Sequence, residues 1–217
     1  NAGSGAIDAQ RLAITTTTLH NSGQLRQSGS QALALQAGQL QNSGSIGAVP
    51  AEAAVPGGSP SGSASPSPTV TLPLPLPTAA ASDGSSVQAA PAEVLAAGSI
   101  QVSGLLDNQG RLLANGGIDL ATQGGLVNHG TLALGQLQVG GDRFDNSQGS
   151  LSAQAANIDT LSIGNQQGKL QIQGDAVLRS QAFDNRDGQI GAGGSLQLRS
   201  GQLDNGHGSV VAEQALT

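Results

Sequence analysis

The chain contains no cysteine, methionine, tryptophan or tyrosine, and its only aromatic residues are Phe144 and Phe183. Globular cores ordinarily draw much of their buried area from aromatic side chains. Here Leu, Ile, Val and Ala must supply it, which favours a thin, regular core over a bulky one. Without cysteine there is no disulfide framework. That absence fits a reducing compartment, and it fits equally well an export route through a narrow pore, where a preformed crosslink would obstruct an unfolded chain. Charge is also scarce, at 10% of residues with a net value of -6, a single lysine (Lys169) and scattered arginines. Nucleic acid and anionic lipid both call for clustered Lys and Arg, so neither is expected as a partner. Nothing approaches the run of about 18 apolar residues needed to span a membrane. The first residues, Asn1 to Ser4, carry no signal-peptide pattern, and the chain reads as an internal excerpt of something larger.

What is present is glycine, 33 residues of it, arranged with a period. One pattern recurs eight times: apolar, any residue, Asn, a gap of one or two, Gly, any residue, apolar. The copies are LHNSGQL, LQNSGSI, LDNQGRL, LVNHGTL, FDNSQGSL, IGNQQGKL, FDNRDGQI and LDNGHGSV. Their anchors are Asn21, Asn42, Asn108, Asn128, Asn146, Asn165, Asn185 and Asn205, about 20 residues apart except for one spacing of 66. Internal repeats of this length are the signature of solenoids. Between copies lie short alternating segments such as Ile100-Gln101-Val102 and Leu196-Gln197-Leu198, which read as strands with one face buried. Two or three such strands and their turns make one coil.

The slots have physical assignments. The apolar residues flanking each corner should point inward and stack on their equivalents in neighbouring coils. Gly is expected to supply a corner where positive φ costs nothing, and Asn to tolerate the left-handed region and bond locally. Stacked asparagines should form an amide ladder along the axis, at the strand spacing of about 4.8 Å. The first four copies use Asn-x-Gly and the last four Asn-x-x-Gly, which predicts a change of corner geometry between Asn128 and Asn146.

The long spacing has a local cause. All nine prolines lie between Pro50 and Pro91, and the run Leu72-Pro73-Leu74-Pro75-Leu76-Pro77 favours extended polyproline II. This Pro, Ser, Gly and Ala composition cannot bury enough surface to fold. The organisation expected is therefore coils over 1–48, a disordered loop insertion over 49–97, and coils of the same solenoid over 98–217. Leu72, Leu74 and Leu76 are the candidate partner contacts, should the insertion be a displayed recognition segment.

The LDN-x-x-G core followed by a strand such as GGSLQL resembles the haemagglutinin repeats of the filamentous haemagglutinin family. The resemblance covers nearly all of the chain outside the insertion. It implies a right-handed parallel β-helix within a large exoprotein of two-partner secretion. Such proteins are exported by an outer-membrane transporter and displayed at the bacterial cell surface, either as adhesins or as stalks of contact-dependent growth inhibition toxins. A cell-surface receptor is the further partner the resemblance implies, and the filament is expected to be monomeric. It carries over no catalytic, cofactor or metal residue, because the matching positions are structural.

Few of the remaining polar residues are spaced for chemistry. His20, His129 and His207 sit at different offsets beside the anchors and read as solvated turn residues. Asp107, Asp145, Asp184 and Asp204 share the slot before Asn, where stacked carboxylates suggest calcium, yet Val127 and Gly164 interrupt the column; turn-bonding or solvated Asp is the simpler reading. Thr15 to Thr18 read as outward-facing strand residues. Polysaccharide-cleaving β-helices need clustered acidic and basic residues and a sugar-gripping groove, whereas both phenylalanines occupy inward slots. The chain is expected to be a stalk or a binding module, with no cofactor and no enzymatic activity.

Overall fold

The computed structural model describes residues 1–29, 32–48, 98–114 and 117–217. The insertion, with Leu72, Leu74 and Leu76, lies outside the described residues. Those described contain strands and no helix. The first strands are β1 (Ala6–Ala9), β2 (Ala13–Asn21), β3 (Gln24–Gln27), β4 (Ala34–Asn42) and β5 (Ser45–Ala48). After the insertion come β6 (Ser99–Val102), β7 (Leu106–Asn108), β8 (Arg111–Ala114), β9 (Asp119–Thr122) and β10 (Leu126–Asn128). Two long strands follow, β11 (Thr131–Asp145) and β12 (Ser150–Gly164), then β13 (Lys169–Ile172), β14 (Ala176–Asp184), β15 (Gln189–Ala192), β16 (Leu196–Asp204) and β17 (Ser209–Ala212).

Every strand pairing is parallel, and each joins equivalent positions of successive repeats. The result is a β-solenoid of about eight turns, with coils about 20 residues apart. Three faces make up each coil. The first follows the corner glycine (β3, β5, β8, β13, β15), the second starts after the next turn (β6, β9), and the third ends on the anchor Asn (β7, β10). The longer strands run through more than one face. In β12 the inward alternation slips phase at Gln154–Ala155 and again at Leu161–Ser162, where the chain turns. Period-two alternation with a slip at each corner keeps most of the apolar residues on the inside, while Leu161, at the second slip, is turned out to solvent.

Like stacks on like in the core. Leu40, Leu106, Leu126, Phe144, Ile163 and Phe183 form one column, each in register with the next. Leu25, Ile46, Leu112, Leu132, Leu151, Leu170 and Ile190 form a second. All of these are at most 3% exposed, so both phenylalanines belong to the interior and neither is available to a ligand.

The register is continuous in number across the insertion. β4 pairs with β6 and β7, β5 pairs with β8, and Leu40 faces Leu106.

Candidate functional site

The anchor asparagines make the most ordered polar feature of the molecule. From Asn21 to Asn185 they are at most 2% exposed, and each side chain donates through Nδ2 to Oδ1 of the next: Asn21 to Asn42 (2.8 Å), Asn42 to Asn108 (2.7 Å), Asn108 to Asn128 (2.8 Å), Asn128 to Asn146 (2.7 Å), Asn146 to Asn165 (2.8 Å), Asn165 to Asn185 (2.7 Å) and Asn185 to Asn205 (2.6 Å). Nδ2 has further acceptors. That of Asn165 reaches the carbonyls of Gly168 in its own corner and of Gln189 in the next coil. Because backbone carbonyls can only accept, the amide orientation is fixed, and the whole ladder points one way. Burying a carboxamide unpaired is costly, and this arrangement leaves none of its donors unmet.

A ninth member was not recognised from sequence. Asn1 donates to Asn21 Oδ1 at 3.0 Å, while Ile7 stacks on Leu25. Its corner has a three-residue gap before Gly5, outside the one- or two-residue rule; the 20-residue spacing to Asn21 was the available signal.

The two corner types differ in hydrogen-bond direction. In Asn-x-Gly corners the amides of x and Gly donate to the Asn carbonyl one coil earlier, as Gln109 and Gly110 do to Asn42 at 2.7 and 2.9 Å. In Asn-x-x-Gly corners the amides point to the following coil, as Asn165 does to Asp184 (2.8 Å) and Gln167 to Arg186 (3.0 Å). The first x amide then lacks a backbone partner, and the aspartate before Asn takes it: Asp145 Oδ1 accepts from Ser147 (3.0 Å), Asp184 from Arg186 (3.1 Å) and Asp204 from Gly206 (3.0 Å). This is the local Asx turn. Where the types meet, the carbonyl of Ser147 has no backbone donor above it, and His129 Nδ1 lies 2.9 Å away; a carbonyl partner requires the proton on Nδ1.

The conformational role expected of glycine needs correction. In the eight corners that follow Asn21 to Asn205 the recurring glycine never has positive φ, and neither has any anchor asparagine; Gly3, inside the Asn1 corner, is left-handed at 58°. In the longer corners the left-handed residue is the one before Gly: Gln148, Gln167, Asp187 and His207, at φ of 55 to 61°. Glycine is required by close approach instead. A β-carbon on Gly110 would collide with the Gly44 carbonyl, and one on Gly188 with the Asn165 carbonyl.

Around the corners, charge is sparse. Arg186 bridges Asp184 (2.7 Å) and Asp204 (3.6 Å), and its hydrogen bonds hold the Asp184 carboxyl below its ordinary range. No group of three His, Asp or Glu side chains suited to a metal occurs among the described residues. His20, His129 and His207 are all exposed and apart from one another in the corner columns.

The repeat geometry meets its counterpart among known proteins at this point. The family model described as haemagglutinin repeat matches residues 1–55, 78–158 and 146–217. The chain belongs to the haemagglutinin-repeat family. Neither the curated proteins nor the solved structures compared with it give a significant match. The haemagglutinin repeat is an adhesin-type structural repeat of secreted, surface-associated proteins, and its slots in this chain are the stacked apolar columns, the Asn ladder and the close-packed glycines. None of those slots presents a reactive group to solvent.

Proposed function

We propose that this haemagglutinin-repeat chain is a stalk segment of a large secreted bacterial surface exoprotein, extending and presenting adhesive or toxin-delivery regions. The observation that carries this reading is the ladder. An unbroken line of carboxamides from Asn1 to Asn205 takes up the recurring polar slot of every coil in stacking alone. Eight turns at about 4.8 Å each span about 40 Å along the axis. In this reading residues 1–48 and 98–217 are one solenoid, 49–97 is an insertion at a turn, and export uses an outer-membrane transporter of the two-partner type. The filament is monomeric and its location is the bacterial surface. The test is to remove whole coils from the parent protein. Adhesion or target killing should fall with stalk length while export persists. Loss of either from outward point substitutions at unchanged length would defeat the stalk reading.

A second reading has its own support. Coils close across the insertion, as Asn42 donates directly to Asn108 at 2.7 Å, so 49–97 serves no slot of the repeat. In this reading the segment, through Leu72, Leu74 and Leu76, contacts a receptor on a host cell or target bacterium. Deleting 49–97 separates the two: a binding module loses adhesion at unchanged secretion, and a pure stalk loses nothing.

A further inference from the structure

Cations are scarce in this chain, 8 lysines and arginines in all, yet two of them stack directly. Arg179 in β14 faces Arg199 in β16 in register, one coil spacing of about 4.8 Å apart along the axis. Like charges directly opposite one another destabilise a sheet, and nothing nearby offsets this pair. Asp159 faces Arg179 from the preceding coil, but neither arginine makes an ion pair among the described residues. Arg179 instead reaches the other way, where its Nη2 donates to Gln197 Oε1 on the Arg199 strand at 3.5 Å. Arg199 is exposed and has no side-chain partner among the described residues.

The pair opens on a groove of about 450 Å³ whose walls include Asp159, Thr160, Leu161, Ser180, Gln181 and Ser200. Its hydroxyl protons are already committed. Thr160 donates to the Ser162 carbonyl at 2.9 Å, Ser180 to Ser200 Oγ at 3.3 Å and Ser200 to the Gln202 carbonyl at 2.6 Å. The donors left to a ligand are therefore the two guanidinium groups and the Gln181 carboxamide. Leu161, 51% exposed, adds an apolar wall.

Two facing cations with free N–H groups call for an acceptor that brings two negative charges. A phosphate monoester is close to dianionic at neutral pH, and guanidinium forks match its oxygens. A carboxylate or a sulfate monoester brings only one charge. Two arginines suit a single phosphate and not a polyanion, which takes a longer run of cations.

We propose that this groove binds a phosphate monoester with an apolar body. The phosphoryl group lies between Arg179 and Arg199, with the Gln181 amide on one of its oxygens and the apolar body against Leu161. Asp159 opposes the anion from the groove wall. The site stands apart from the ladder and is independent of the stalk reading.

The test titrates phenyl phosphate into the whole 217-residue chain at low ionic strength, followed by calorimetry and by backbone amide shifts. Saturable binding is expected, with shifts centred on 159–161, 179–181 and 199–200. Phenyl sulfate and benzoate, which lack the second charge, should bind at least about tenfold more weakly. Arg199→Gln should weaken phenyl phosphate at least about tenfold without lowering the melting temperature, and Arg179→Gln gives a second route if that protein fails to fold. Asp159→Asn should tighten binding about twofold or more by removing a like charge. Absence of saturable binding, equal binding of phenyl sulfate, or undiminished binding by a folded Arg199→Gln protein would overturn the proposal. Weaker binding by Asp159→Asn would overturn its electrostatic basis, and inorganic phosphate bound as tightly as the ester would overturn the role given to Leu161.

Discussion

Asn165 is fully buried between two like residues, and its carboxamide both accepts and donates along the axis. Replacing it with alanine strands the Asn146 donor and the Asn185 acceptor, and should cost about 2–4 kcal/mol in equilibrium denaturation. Asp in its place should cost more, because a carboxylate would then face the Asn185 oxygen and two backbone carbonyls. At the neighbouring slots the ranking reverses ordinary expectation for turns. Gly168→Ala forces a β-carbon into the Asn146 carbonyl and should cost at least about 1–3 kcal/mol. Gln167→Gly, at φ 55°, should change stability by no more than about 1 kcal/mol, since glycine adopts that backbone freely. If Gly168→Ala proves the milder of the pair by thermal melting, the close-approach account is wrong. The sequence carried the identity of these slots but not their reasons. Periodicity marks a position as fixed, while only the distance to the next coil distinguishes a glycine needed for φ from one needed for space.

The corner is the element at which the two halves of the repeat part company. The gap length was legible in the sequence, and so was the place where it changes; the reversal of hydrogen-bond direction was not, because it depends on which neighbouring coil offers carbonyls. The aspartate before Asn follows from that reversal. Asp145→Ala should therefore destabilise by about 1 kcal/mol through the exposed Ser147 amide, as loss of a comparable side-chain cap does, whereas Asp107→Ala, which removes a buried oxygen without a donor, should not destabilise. Asp184 adds a pH dependence. Its carboxyl is held below the ordinary value chiefly by the Arg186 hydrogen bond. A depressed folded-state pKa contributes stability that is present above the unfolded value, near 3.9, and lost as pH falls through the folded value. Asp184→Asn keeps an acceptor for the Arg186 amide but removes this contribution, so its difference from wild type should shrink as pH drops below about 4. A difference that instead grows on acidification would contradict the assignment.

For the whole molecule, the coil period, the inward columns and the solenoid class followed from eight copies of one pattern, whereas three faces per coil did not, since strands of three or four residues leave too short an alternation to count turns. The Asn1 corner escaped for a related reason: its gap is one residue longer than any other, although its amide joins the same ladder. The parallel register has a mechanical corollary. With hydrogen bonds aligned along the axis, a pull on the two chain ends loads one terminal coil at a time and leaves the rest shielded. Such a filament should yield by peeling, each released coil of about 20 residues lengthening the tether by roughly 60 Å at about 3.4 Å per residue. Force spectroscopy should record a train of small, evenly spaced steps, and a single large rupture would show that the coils fail together.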